Sequence, residues 1–102
     1  MFTEKKFSEI IDMTVEEFND LIEKSNLTLG ETLSLKSLLT VQYNQMNLQK
    51  NALLEKHNEP DTTEDIKEQI VSTVKAMLVK MMSIEYKVCV LNNRVYSLTK
   101  DV

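Results

Sequence analysis

Nine apolar residues recur at alternating intervals of four and three in the last third of the chain. They are Ile70, Val74, Met77, Met81, Ile84, Val88, Leu91, Val95 and Leu98. Because an α-helix brings residues at these intervals to one side, the pattern predicts a single long helix with an apolar seam about four heptads long. Such a seam requires a second helix to cover it, so the pattern also predicts helix-on-helix packing.

Helix starts and one clear stop divide the rest of the sequence. Thr14-Val15-Glu16-Glu17 and Thr28-Leu29-Gly30-Glu31 both have the capping-box pattern and predict helices over 15–25 and 29–57. A brief helical turn is expected before them, around Phe7 and Ile10. Pro60 interrupts the helical pattern, and the last helix is predicted over 63–99.

These elements define one all-α domain spanning residues 1–102. Residues 1–26 would form one or two short acidic helices, and residues 28–102 a long helical hairpin. Because the connection between 57 and 63 is short, helices 29–57 and 63–99 are expected to be antiparallel neighbours packed like a coiled coil. With one glycine and one proline, the chain lacks the turn residues of an all-β fold.

One alternative remains open for residues 86–98, which could form a β-hairpin. Asn92-Asn93 tolerates the positive φ of a type I′ turn, and its flanks are rich in β-branched and aromatic residues. The heptad pattern runs through both arms without interruption and favours helix.

The residues that usually carry chemistry are sparse. His57 is the only histidine, so no metal-ligand spacing exists, and its place near a helix end suits capping. Cys89 lies in an apolar stretch and is expected to be buried. The carboxylates from Glu16 to Glu23 are expected to form a solvated helix face. We therefore predict a non-enzymatic protein with no catalytic residues, metal site, cofactor or small-molecule substrate.

The net charge and its distribution along the chain limit the kinds of partner that are expected. The net charge is −4, which opposes binding to nucleic acid. Residues 1–26 carry net −4 and residues 73–102 net +3, which predicts pairing between the two ends. The cations concerned are Lys80, Lys87, Arg94 and Lys100.

No apolar run is long enough to cross a bilayer, and the first residues lack the apolar stretch of a signal peptide. We expect a cytoplasmic protein without a membrane partner. The many Lys, Asn and Ile residues and few Ala and Gly are typical of AT-rich genomes. A phage or viral structural component, placed within a virion, is therefore one possible setting.

Apolar residues outside the seam point to a further partner. The last helix carries them on its reverse side, helix 29–57 has a second apolar face, and the short N-terminal helices are too short to cover both. The predicted interface comprises Leu78, Val79, Met82, Tyr86, Val90, Val41 and Leu48. The leading hypothesis is a non-catalytic assembly or adaptor protein that self-associates, as a homo-oligomer, or docks on a partner protein or larger assembly through these apolar faces. The amide-rich segment 42–51 would set the register.

Two other functions fit parts of the sequence. Residues 18–39 resemble a helix-turn-helix, which would make the chain a dimeric regulator. The second helix of this motif, which would be the recognition helix, would present five residues to DNA: Glu31, Thr32, Ser34, Lys36 and Ser37. The acidic helix before it opposes approach to the phosphates. Alternatively, the acidic face from Glu16 to Glu23 could occupy a basic channel of a host enzyme, as a small anti-defence inhibitor would.

Overall fold

The computed structural model describes residues 4–100, with side chains from residue 7 onward, and contains four helices. They are α1 (Glu4–Asp12), α2 (Val15–Ser25), α3 (Leu29–His57) and α4 (Glu64–Thr99). The two long helices pack against each other, α2 packs on α4, and the molecule measures 58 × 23 × 21 Å. The prediction of an all-α helical hairpin is confirmed.

The β-hairpin alternative for residues 86–98 is wrong. Helix α4 continues through Asn92 and Asn93 to Thr99, and residues 4–100 contain no strand. The reason is the seam: a strand would turn alternate residues to opposite faces, whereas helix keeps Val88, Leu91 and Val95 against α3.

Threonine caps begin the three longer helices. The Thr14 hydroxyl accepts from the Glu17 backbone N–H at 3.1 Å, while the Glu17 carboxylate accepts from the Thr14 N–H at 3.4 Å. Thr28 and Glu31 make the same reciprocal pair at 3.2 and 3.1 Å. The hydrogen bond that the Thr28 backbone N–H donates to the Glu31 carboxylate, with a smaller contribution from the Thr28 side chain, lowers the pKa of Glu31.

Helix α4 has a simpler cap, in which the Thr63 hydroxyl accepts from the Ile66 N–H at 3.4 Å. The connection that precedes it, residues 58–63, is fastened to α3 because the Thr62 hydroxyl donates to the Lys56 carbonyl at 2.6 Å. Between α2 and α3 the chain turns at Asn26, which has a left-handed conformation with φ of 48°.

The seam lies at the contact between α3 and α4, and all nine of its residues are buried or half-buried. Helix α3 contributes Leu35, Leu39 and Met46, which are buried, and Leu53, which is half-buried. The two ends of the hairpin differ. We call α1, α2, residues 29–46 and residues 81–99 the base, and residues 47–57 and 64–80 the tip.

The main core occupies the base. Its buried members come from all four helices and the turn before α3: Ile10, Phe18, Ile22, Leu27, Leu35, Leu39, Met46, Met81, Ile84 and Leu91. Ile70 and Val74 are buried in the tip, outside this cluster.

Two cations of α4 hold α1 and the turn between α2 and α3 against α4. Lys87 is fully buried, and its Nζ donates to the Ile11 carbonyl in the last turn of α1 at 2.8 Å. Arg94 Nη2 donates to the Leu27 carbonyl in the turn before α3 at 2.9 Å. The carbonyls at a helix end lack partners within the helix and carry partial negative charge, so they suit cationic donors.

The predicted pairing of the acidic N-terminal segment with basic side chains of α4 therefore takes a different form. Lys87 does contact that segment, but through the Ile11 carbonyl rather than a carboxylate, and Arg94 contacts the Leu27 carbonyl just after it. Lys80 and Lys100 are exposed. Within the described part of the chain, the ion pair is Lys67 with Glu64 at 3.8 Å. Burial lowers the pKa of Lys87, while the charges of Asp12 and Glu17 partly oppose this shift.

Candidate protein interface

One side of α4 exposes a continuous set of large apolar side chains, which we call the outer face. Its members and their exposed fractions are Val71 (40%), Leu78 (42%), Val79 (69%), Met82 (55%) and Tyr86 (56%). At about 100° per residue, all five lie within about 60° of Met82 around the helix axis. Lys87, which contacts α1, lies about 140° away, so the outer face is turned away from the N-terminal helices.

The remaining predicted interface residues lie elsewhere. Val90 is half-buried and packs against the main core. Val41 and Leu48 are 53% and 70% exposed, but they lie on α3, about 140° around its axis from the residues that face α4. The seven residues predicted from the sequence therefore do not form one patch.

A shallow groove of about 330 Å³ between α3 and α4 borders the outer face. Its lining residues are Thr40, Tyr43, Ile84, Glu85, Val88 and Cys89. The expectation that Cys89 is buried is wrong, because its thiol is exposed. Cys89 follows the seam residue Val88 and is rotated about 100° from it, to the same side as Met82. Its spacing of seven from Met82 is the sequence signal that would have located it.

Tyr43 and Glu85 meet beside this groove. A hydrogen bond to the Glu85 carboxylate, together with desolvation and the negative charge, raises the pKa of the Tyr43 hydroxyl. Sequence reasoning missed this contact, because nothing in the spacing of either residue fixes which positions of α3 and α4 face each other.

The methionines divide between core and surface. Met81 is buried and Met77 half-buried in the seam, as core filling requires, whereas Met82 is exposed on the outer face.

The other candidate residues form no shared site. His57 is half-buried at the end of α3, with its Nδ1 3.4 Å from the Asn58 side-chain oxygen. Glu16, Glu17, Asp20 and Glu23 are exposed on α2. Across the described residues, no three His, Cys, Asp or Glu side chains are grouped as a metal site requires.

One of the residues expected to face DNA in a helix-turn-helix, Thr32, is not exposed. Thr32 is fully buried and its hydroxyl donates to the Thr28 carbonyl at 2.8 Å. It occupies the α3 position one turn before the core residue Leu35, so it turns toward α4 while Ser34 and Ser37 are exposed.

None of the helices between residues 4 and 100 has the length and apolar character needed to span a membrane. Comparisons with protein-family models, curated proteins and solved structures find no match.

Proposed function

We propose that this protein is a non-catalytic helical assembly or adaptor protein, which associates with further copies of itself through the outer face of α4. The observation that carries the proposal is the exposure of five large apolar side chains on one side of one helix. Single exposed apolar residues are ordinary, but a contiguous apolar patch on a soluble domain typically marks an interaction site.

The chemistry of the outer face supports association with protein. Val79, Met82 and Tyr86 offer aliphatic, thioether and aromatic surface, and methionine and tyrosine are both enriched in protein interfaces. The residues also follow helical spacing, which is the arrangement that packs against another helix.

The proposed setting is the cytoplasm, or a virion if the chain is phage-encoded. The composition supports this choice, with its excess of Lys, Asn and Ile and its two alanines. In that setting the extended hairpin would serve as a structural element that joins chains.

Sedimentation equilibrium tests the proposal on the wild-type protein and one variant, Val79→Glu. We expect the wild-type mass to rise above 11.8 kDa as concentration increases. Burying Val79 contributes about 1.5 kcal/mol from each copy, so a charge there should weaken association by more than about tenfold.

Ala76→Glu is the matched control, because it introduces the same charge at an exposed position of α4 outside the outer face. It should associate like wild type. A folded wild-type protein that stays monomeric throughout the concentration series would overturn the proposed function.

A further inference from the structure

Three members of the outer face, Val71, Leu78 and Met82, also belong to a longer stripe that includes charged residues. Eight positions of α4 alternate at intervals of four and three, and all eight are exposed. They are Val71, Lys75, Leu78, Met82, Glu85, Cys89, Asn92 and Tyr96. We call them the outer stripe. It has the same periodicity as the seam but lies about 100° around the axis of α4 from it. Glu85 and Cys89 of the stripe border the groove between α3 and α4.

From this stripe we infer that two copies of the chain pair through α4 in an antiparallel arrangement with a two-fold axis beside residue 80. The inference rests on the proposed self-association and specifies its geometry. In this register Leu78 of one copy lies opposite the partner's Met82, and the symmetry repeats the contact. Two apolar layers therefore occupy the centre of the interface.

Charge complementarity selects this register. In the next layer outward from the two central layers, Lys75 lies opposite the partner's Glu85. The two-fold symmetry places a second such pair at the other end of the interface. Opposite charges that flank an apolar centre set the alignment of paired helices. Both side chains are exposed in the single chain. The Glu85 carboxylate, which already contacts Tyr43, has further lone pairs that can accept from Lys75.

Other arrangements of the same stripe bring unfavourable contacts. A parallel pair would place Lys75 against Lys75 and Glu85 against Glu85. Sliding the antiparallel pair by one heptad in one direction places Lys75 against Leu78 and Glu68 against Glu85. Sliding it the other way places Met82 against Glu85. Like charges, or a charge against an apolar side chain, disfavour each of these registers.

The groove between α3 and α4 fits the next contact along the stripe. Val71 lies opposite the partner's Cys89, which lines that groove together with Glu85 and Tyr43. A valine side chain entering the groove would bury apolar surface on both copies. From Val71 to Cys89 the paired segment spans about 27 Å of helix.

Charge exchange tests the register by sedimentation equilibrium. We expect Lys75→Glu and Glu85→Lys each to raise the dimer dissociation constant about tenfold, because each creates two like-charge contacts. The double variant K75E/E85K should restore the constant to within about threefold of wild type, because it exchanges the charges without removing the pairs.

Matched controls separate this effect from net charge and from local contacts. Lys80→Glu and Glu55→Lys make the same charge changes at exposed positions outside the stripe and should leave the constant unchanged. Tyr43→Phe removes the hydroxyl beside Glu85 and shows how much of the Glu85→Lys effect comes from that contact.

Cysteine cross-linking gives an independent readout. Under oxidising conditions Val71→Cys should form a covalent dimer with the native Cys89 of the second copy. Wild type should not, because the two Cys89 residues would lie about 27 Å apart. Ser72→Cys is the neighbouring control and should not cross-link.

The outcomes distinguish the inference from the proposed function. A wild-type dimer without rescue by K75E/E85K, or with direct Cys89–Cys89 cross-linking, overturns the antiparallel register and leaves self-association standing. A wild-type monomer overturns both. Rescue together with the Val71→Cys cross-link supports the pairing.

Discussion

The base and the tip of the hairpin share one seam but differ in what covers it. At the base, α1 and α2 form a third layer, and Ile84 and Leu91 are fully buried. At the tip only two helices meet, and Ile70 and Val74 remain 5% and 8% exposed. Two helices are thus sufficient to bury the seam almost completely. A third layer is needed to cover the flanks of the seam.

Two lysines make this difference plain. Lys80 and Lys87 are seven residues apart and occupy the same heptad position beside the seam. Lys80, in the tip, is exposed, whereas Lys87, in the base, is fully buried and donates to the Ile11 carbonyl. The heptad position therefore specifies the direction of a side chain but not its environment, which depends on the third layer.

The largest expected loss of stability comes from a truncation of the seam, matched between base and tip. Ile84 and Ile70 are both isoleucines of α4, two heptads apart. Ile84→Ala should lower the free energy of unfolding by about 4 kcal/mol, because the surrounding base cannot collapse into the cavity. Ile70→Ala should cost about 2 kcal/mol, because the two-helix tip can relax.

Urea denaturation followed by circular dichroism measures both losses. Equal losses would contradict the view that the third layer makes the base the more tightly packed end.

A smaller loss is expected for the lysine pair. Lys87→Ala should cost about 2–3 kcal/mol, since it leaves a cavity and an unpaired Ile11 carbonyl, while Lys80→Ala should stay within about 0.5 kcal/mol of wild type. Lys87→Met keeps most of the volume without burying a charge, so its cost should be under about 1 kcal/mol. The same denaturation experiment ranks the three variants.

The pH dependence of stability sharpens the comparison at Lys87. Burial lowers its pKa below the ordinary 10.5, so between the folded and unfolded pKa values the unfolded chain binds more protons. The contribution of Lys87 to stability therefore rises with pH in that window. The pKa of Tyr43 is raised above 10.0, so its contribution to stability falls as the pH rises past 10.

We subtract the free energy of unfolding of Lys87→Met from that of wild type at each alkaline pH. The difference isolates the contribution of Lys87 to stability, because both proteins retain Tyr43. A difference that falls with pH would contradict burial of a charged Lys87.

The smallest expected difference lies in the helix caps. Thr28→Ala, at the base, should cost about 1–1.5 kcal/mol, because it breaks a reciprocal capping box. Thr63→Ala, at the tip, should cost about 0.5 kcal/mol, since its single hydrogen bond is long at 3.4 Å. Thermal unfolding of the two variants gives the comparison, and a larger loss for Thr63→Ala would reverse it.

Local signals predicted the elements of this fold well. The seam of α4 and the Thr14 and Thr28 capping boxes depend on residues within one or two helical turns, so the sequence alone locates α2, α3 and α4. The residues of the short α1 were also expected to be helical.

The environment of the flanks was less predictable. Lys87 and Arg94 contact residues 76 and 67 positions away, and no local pattern specifies such distant partners. The apolar neighbours of Cys89 predict a buried thiol, but its rotation of about 100° from Val88 around the helix axis places it outside the seam. Most of the predicted interface is exposed, but it divides between two helices, because the periodicity of one helix does not specify where its faces point relative to another helix.

The six-residue connection between α3 and α4 has a consequence for the order of folding. Across this connection, His57 and Val71 line a common pocket, and they are only 14 residues apart in the sequence. Closing this short loop costs little chain entropy, whereas the contacts of Lys87 and Arg94 require much longer loops unless the hairpin has already formed. We therefore expect the tip, the less tightly packed end of the folded molecule, to form first. Its formation would bring together the parts of α3 and α4 that belong to the base.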